Sequence, residues 1–323
     1  MTITRKGWTV LLILLALLLL GACRKAPQAG NPALPPGFAD THLPDAPIAV
    51  YAYFAQEAPL RILPRSLAPT LGDAPDEIGV VSSALWVAPD GDTAGGVAVL
   101  KDTQQAELLE LLLQESQLPL WIYRSGQVVA AVSEQGRHTS AFQEAIRQNR
   151  GVRLAERYPQ AWALLQKLPP KPPGSPVGAG FVFTSKEFID ALARRTGGEG
   201  QGIQQAIGTA RVEAVAFALY TSRPLALDSP LDNRPQALLE HYGVTVLGVA
   251  RAGLPSLIVR LGFSVVARQA GLEPIQLQGH TVYGIQQDTM HLRLRVQGNL
   301  IYIALAPSPD LAEAGIASTI PKE

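Results

Sequence analysis

The chain has 323 residues, of which 47% are hydrophobic and 17% charged, and its 27 basic residues balance its 27 acidic ones. This length supports one or two well-packed cores. The neutral balance argues against a nucleic-acid-binding protein, which needs a concentrated basic face. A single cysteine excludes an internal disulfide.

The N-terminus has the order of parts of a secretory signal. Arg5 and Lys6 precede an apolar core over residues 8–20, which is shorter than the roughly 20 residues that a transmembrane helix needs. The sequence Leu20-Gly21-Ala22-Cys23 follows and resembles the lipobox of bacterial lipoproteins. In that class the cysteine receives a diacylglyceryl group before the signal is cut, and it then becomes the new N-terminus.

The resemblance implies that Leu20, Gly21 and Ala22 are read by the processing machinery and that Cys23 is lipidated. The alternatives are a plain signal peptide and an uncleaved signal anchor. Lipidation implies a cell-envelope protein whose body lies outside the cytoplasm, held to a membrane by several acyl chains. Arg24 stands where many inner-membrane lipoproteins of enterobacteria carry aspartate, which favours the outer membrane if the host has one. Removal of residues 1–22 lowers the formal charge from 0 to −2, because Arg5 and Lys6 leave with no acid.

Composition divides the mature chain into two halves. Residues 23–47 are rich in proline, glycine and alanine and predict a lipidated N-terminus with a flexible tether. Residues 168–176 predict a proline-rich linker, because proline is excluded from helix interiors and sheet centres. The remaining segments are a first α+β half at 48–167, a second at 177–318 and a tail at 319–323.

The first half alternates strand and helix signals. Asp102 is a predicted N-cap with Gln105 three residues on, and a helix with a leucine stripe follows. A hairpin turns at Ser125-Gly126. The predicted strands are 48–54, 78–87, 96–100, 120–123 and 127–132, and a second helix is predicted over 140–148.

The second half has similar signals. A capping box at Thr184 to Glu187 predicts a helix that ends in the glycine-rich run 197–202. Pro255 predicts the first turn of a helix that reaches Ala270. The predicted strands are 177–183, 212–220, 244–250, 281–285, 291–296 and 300–305, and a terminal helix is predicted over 310–317.

The two halves share a sequence unit. The hairpin Leu120–Val132 matches Leu292–Ala304, with leucine six residues before the glycine in both, and a small-residue helix follows each. Chance similarity between hairpins is the alternative, since hairpins reuse glycine turns. We therefore expect an α+β fold of two similar halves, each a largely antiparallel sheet covered by helices.

This order of elements behind an export signal resembles a family of bacterial envelope proteins built on a duplicated domain of unknown function. The motifs that carry the resemblance are Gly96 to Glu107, Gly126 to Val132, Gly279 to Gly284 and Gln297 to Tyr302. The family supplies no catalytic residues. It implies the α+β architecture and the envelope location.

No sequence pattern predicts catalysis, a metal or a cofactor. A Gly-x-Ser-x-Gly turn and a His-Glu-x-x-His pair are both absent from the sequence. His280 and His291 would meet only across strands and would lack further ligands. Glu107 and Glu110 share a helix face opposite leucines, which is typical of a solvated surface. We expect no catalytic, metal or cofactor site.

Two segments are candidate ligand surfaces. Tyr51 and Tyr53 share one face of a strand, where stacked rings suit a glycan, although tyrosine is also common under a helix. The helix Leu254 to Ala270, with Leu257, Ile258 and Leu261, is apolar nearly all round and carries arginines at its edges. Such a helix lies on a membrane, walls an apolar pocket, or is buried between a sheet and a partner domain.

The expected function is a non-enzymatic binding or scaffold role in the envelope. The partners are the membrane, through the N-terminal lipid, and an envelope protein, a glycan or a lipid. The alternative is a carrier or sensor of an apolar ligand in a cavity beside Leu254 to Ala270, and an unrecognised envelope hydrolase is third.

Overall fold

A computed structural model of the chain describes residues 33–35, 37–62, 78–116, 118–169, 174–196, 211–222, 240, 242–269, 271–287 and 290–321. These residues form a mixed α and β fold around a large antiparallel sheet, as the sequence predicts.

The strands are short except at the middle of the sheet. Their bounds are β1 His42–Pro44, β2 Val50–Ile62, β3 Ile78–Val87, β4 Ala94–Leu100, β5 Leu120–Ser125, β6 Val128–Ser133, β7 Gly151–Arg153, β8 Ser175–Phe183, β9 Val212–Thr221, β10 Val244–Ala252, β11 Glu273–Leu277, β12 His280–Gln287, β13 Met290–Gln297 and β14 Leu300–Ala306. The bounds of β3 are those that the sequence predicts.

Seven α-helices and one 3₁₀ turn lie among the described residues. Their bounds are α1 Thr103–Glu115, α2 Thr139–Arg147, α3 Leu154–Arg157, α4 Pro159–Leu165, α5 Lys186–Thr196, α6 Ser256–Gln269 and α7 Pro309–Ala317, with a 3₁₀ turn at Phe38–Asp40. The Asp102 cap is confirmed, since its carboxylate accepts from the Gln105 amide at 2.9 Å. The predicted cap of α5 is wrong by one residue, because Ser185 rather than Thr184 accepts from the Phe188 amide.

The main sheet has twelve strands in the order β11-β12-β13-β14-β10-β9-β8-β2-β3-β4-β6-β5, and each pairing in it is antiparallel. β1 and β7 form a separate two-stranded ribbon. The prediction of one sheet in each half is therefore wrong. Residues Val50–Phe54 of β2 pair with Gly178–Val182 of β8, so a single sheet runs through both halves.

Each face of the sheet carries its own helix layer. Even-numbered residues of β9, such as Ala216 and Ala218, share a core with Phe38, Phe142 and Ile316, so the 3₁₀ turn, α2 and α7 lie on this face. Odd-numbered residues of β9 face the other way, and the cores on that side contain residues of α1 and α6. The helices α1 and α6 therefore cover the same face.

The flexible tether is shorter than the sequence predicts. Residues from Ala33 onward were expected to belong to a flexible tether, yet Ala33, Phe38 and Leu43 are buried in the core. The phenolic oxygen of Tyr220 donates to the Ala33 carbonyl at 2.9 Å. The tether prediction is wrong for these residues because a few large apolar side chains dock onto the sheet despite the surrounding prolines.

The prediction of a proline-rich linker over residues 168–176 is also wrong at both ends. Leu168 is buried in the core that follows α4. Ser175 and Pro176 already belong to β8 and pair with Thr221 and Tyr220 of β9. Residues 170–173, between them, lie outside the described residues, as does the glycine-rich run 197–202.

Candidate functional surfaces

The predicted lipidation signal lies outside the described part of the chain. Residues 1–32, with Leu20, Gly21, Ala22 and Cys23, are not described. Within the described residues, every helix is too short or too polar to cross a membrane.

The tyrosines of β2 share one face, as predicted, but that face is covered. Tyr51 is only 1% exposed and its ring stacks on Phe181 at 5.6 Å between centroids. Phe38 packs edge-on against Tyr53 at 5.7 Å. Burial raises the pKa of both phenols above the ordinary value of tyrosine. The interpretation of Tyr51 as an exposed glycan platform is wrong, because the N-terminal segment covers this part of the sheet.

Helix α6 has two apolar sides with different surroundings. Val259 and Ala267 are buried, and Phe263 packs beside them against the sheet. On the opposite side Leu257, Ile258, Leu261 and Val265 are 61%, 52%, 63% and 55% exposed. We call these four residues the α6 apolar face. The interpretation of α6 as a helix buried between a sheet and a partner domain is therefore wrong for the described residues. Leu254, just before the helix, is half-buried.

A groove of about 690 Å³ lies between the start of α5 and the ends of β9 and β10. Its walls carry charged side chains of both signs, and no residue of α6 lines it. The lining residues include Lys186, Asp190, Arg211, Glu213 and Gly253. This groove does not match the predicted apolar cavity beside Leu254 to Ala270.

The acidic pair of α1 has a structural partner. Arg124 of β5 donates to Glu110 at 2.6 Å and lies 3.4 Å from Glu107. The hydrogen bond to Glu110 raises the pKa of the Arg124 guanidinium. Both carboxylates thus help to hold β5 under α1, on a face that remains open to solvent.

Asp90 is a buried turn residue at the β3–β4 connection. One carboxylate oxygen accepts from the Asp92 and Thr93 amides at 3.0 and 2.9 Å, and the other accepts from the Thr93 hydroxyl and the Arg137 amide at 2.8 Å each. Burial raises the pKa of Asp90, but these four bonds outweigh burial and hold it below its ordinary value. Asp90 therefore fastens the β3–β4 turn to the start of α2.

The two histidines considered for a metal do not meet. His291 pairs with Gln286 near the end of β12, whereas His280 begins that strand. Six residues of strand separate those positions, or about 20 Å. The described residues contain no group of three or more histidine, cysteine or acidic side chains placed to hold a metal ion.

Sequence reasoning missed a buried pair of arginines on β13. Arg293 and Arg295 are 7% and 3% exposed, under α7. Arg293 donates to Glu313 at 3.2 Å, and Arg295 donates to the Thr319 hydroxyl at 3.1 Å while its guanidinium lies 5.0 Å from the Tyr302 ring centroid. Burial lowers the pKa of Arg295. Alternation of arginine with leucine predicts a solvent face here, so only the docking of α7 reveals their burial.

No protein-family model and no curated protein matches this chain. Two solved structures, both of TP0453, are similar over most of its length. The structure of crystal form III of TP0453 has 8% identity and a TM-score of 0.38, and the alignment covers 86% of this chain and 96% of that one. Crystal form I has 9% identity and a TM-score of 0.36, with 85% and 95% covered. At these scores no residue role is transferred.

Proposed function

We propose that this chain is a lipid-anchored protein of the cell envelope with a non-enzymatic role in binding or scaffolding. The observation that carries the proposal is the position of Cys23. It is the only cysteine, it closes a signal-like apolar segment, and it occupies the acceptor position of a lipobox. Arg24 favours the outer membrane.

The short distance between Cys23 and the packed body supports a scaffold at the membrane. Ala33 is the first described residue, so ten residue steps separate it from the proposed anchor. A fully extended chain of that length spans at most about 35 Å. The body is therefore held close to the bilayer, where its concentration relative to membrane partners is high.

The structural roles of the buried polar groups support binding rather than catalysis. Asp90 fastens a turn, and Arg293 and Arg295 hold α7. The hydrogen bonds of these groups lie within the fold. The outer surfaces of the helix layers remain for contacts with other molecules.

We also propose that the body arose by duplication of one unit. In the first half β2, β3 and β4 form a meander, α1 follows, and the hairpin β5–β6 then adds β6 beside β4. In the second half β8, β9 and β10 form a meander, α6 follows, and the hairpin β13–β14 adds β14 beside β10. The first strands of the two units, β2 and β8, pair with each other. An experimental structure tests this: the two sets of elements superpose if the proposal is right, and divergent crossing angles of α1 and α6 would count against it.

Replacement of Cys23 tests the anchor. We expect cells that express the full chain with Cys23→Ser to accumulate an unprocessed precursor that takes up no radioactive palmitate. A matched control combines Cys23→Ser with Ala141→Cys, which keeps one cysteine in the chain but outside the lipobox. This control should also remain unlabelled. Labelling of either variant at the wild-type level would refute lipidation at Cys23.

A further inference from the structure

The α6 apolar face is not required by the fold. Because α1 and α6 follow equivalent strands and cover the same side of the sheet, α1 shows what a solvated helix looks like at this place. The outward residues of α1 are polar apart from Leu111 and include Gln104, Glu107 and Gln114. In α6 the corresponding side presents two leucines, an isoleucine and a valine. Contiguous exposed apolar side chains of this kind mark an interaction site.

The charges of α6 indicate the chemistry of its partner. Its sequence, SLIVRLGFSVVARQ, contains no acidic residue. Arg260 is exposed on the flank of the apolar face, and Arg268 is exposed at its C-terminal end. An apolar face bordered by arginines is suited to the interface of a bilayer that contains anionic phospholipid.

The tether is long enough to bring this face to the membrane. Ala33 lies on the face of the sheet opposite α6, near the end of β9. The distance across the sheet from Ala33 to the outer side of α6 is about 25 Å. It comprises a side-chain layer, the sheet-to-helix spacing and the helix radius. The ten residue steps from Cys23 span up to about 35 Å, which exceeds that thickness.

We propose that the α6 apolar face docks on the surface of an anionic bilayer and forms a second membrane contact beside the acyl chains at Cys23. The proposal rests on the lipid anchor of the proposed function, since the acyl chains at Cys23 hold the body at the bilayer surface, where a second contact forms at high local concentration. The helix lies in the interface with Leu257, Ile258, Leu261 and Val265 in the acyl boundary and Arg260 and Arg268 at the headgroups. The body is thereby oriented as well as tethered.

Spin labelling of the full processed chain in vesicles tests the orientation. The protein is reconstituted into phosphatidylcholine vesicles with or without phosphatidylglycerol, and a nitroxide is attached at Leu261→Cys. Ala141→Cys, exposed on α2 at the opposite face, is the control site. We expect the label at 261 to be accessible to oxygen and shielded from a water-soluble nickel reagent in the anionic vesicles. The label at 141 should show the reverse.

The outcomes separate failure of the docking from failure of the anchor. Wild-type protein should take up no nitroxide, because lipidation blocks Cys23, and uptake of one label would refute the anchor alone. Equal nickel accessibility at 261 and 141 would overturn the docking alone. Spin–spin broadening at 261 that grows with protein density would show a second copy of the chain on this face. Equal shielding of the label at 261 from nickel in vesicles without phosphatidylglycerol would refute an anionic surface. Either result overturns the proposal.

A second pair of variants tests the energetics. With the label at 261, Leu257→Ser should lower the ratio of docked to undocked protein about tenfold, the equivalent of burying one leucine side chain. Ala141→Ser on α2, exposed at the opposite face of the sheet, is the control and should leave the ratio unchanged. An equal effect of both substitutions would contradict docking through α6.

Discussion

Replacing Asp90 by asparagine tests the turn that fastens β3–β4 to α2. The carboxylate accepts four hydrogen bonds, two at each oxygen, from Asp92, Thr93 and Arg137. An asparagine side chain keeps one acceptor oxygen and turns an NH₂ group toward the other two donors. Two bonds to a charged acceptor are therefore lost, at about 1.5 kcal/mol each, so the free energy of unfolding should fall by about 3 kcal/mol.

The assay is urea unfolding of wild type and Asp90→Asn, followed by circular dichroism. For a chain of this size the expected loss corresponds to a Tm lower by about 6 to 12 °C. Glu134→Gln, the same carboxylate-to-amide change at an exposed position, is the matched control and should alter the free energy of unfolding by less than about 0.5 kcal/mol. Equal effects at positions 90 and 134 would refute the assigned role of the buried carboxylate.

The pH dependence follows from the lowered pKa of Asp90. Because the folded-state pKa lies below the ordinary value of 3.8, the carboxylate stabilises the fold above that value. This stabilisation is lost as the pH falls through the folded-state pKa, whereas the asparagine variant has no such loss. The difference between wild type and variant should therefore be largest near neutral pH and shrink below about pH 4. A difference that grows on acidification would contradict the assignment.

Two further substitutions test the sheet and the N-terminal segment. Gly180→Ala should destabilise the fold by about 1–3 kcal/mol, because its Cβ would overlap the Tyr51 carbonyl and lie 2.7 Å from the Phe217 ring. Gly262→Ala in α6, where a Cβ meets no neighbour within 4 Å, is the control and should stabilise the fold by about 0.5–1 kcal/mol. Equal urea midpoints of the two variants would refute the continuous sheet. Tyr220→Phe removes the hydrogen bond to the Ala33 carbonyl and should lower the free energy of unfolding by about 1 kcal/mol. Proteolysis near residue 33 should be faster in this variant than in the control Tyr123→Phe. Unchanged proteolysis would contradict docking of the N-terminal segment.

Local elements were predictable where one signal dominated. Ile78–Val87 is a run of strand-forming residues that leads into the turn around Asp90, and its bounds are confirmed. The Asp102 cap is confirmed, because its short side chain reaches the Gln105 amide. The turn after Ser125 is confirmed, because Gly126 adopts the positive φ that glycine favours. The ribbon of β1 and β7 was missed because three-residue strands carry no periodicity.

Long-range packing was not predictable from the same patterns. The single sheet depends on Ala52 meeting Gly180, a pairing between residues far apart in the chain. The N-terminal segment resembles a linker in composition, and only its docked position explains why Phe38 is buried. The covered face at Tyr51 follows from that docking, so the glycan interpretation failed together with the tether.

The candidate surface on α6 was predictable in part. Apolar residues nearly all round the helix left its outward side undetermined, since either side fits a core. The structure selects Val259 and Ala267 for the core and leaves Leu257 and Leu261 outside. Contact with the sheet, rather than hydrophobicity, makes that choice.

Mass spectrometry of the N-terminal peptide tests the central claim most directly. The protein is extracted from membranes of cells that express the full chain. It is then digested under conditions that leave its N-terminus and any acyl chains intact. The account predicts a peptide that begins at Cys23 and carries the mass of a diacylglyceryl group with its fatty acids. A peptide that retains residues 1–22, or an unmodified Cys23, would contradict the lipid anchor.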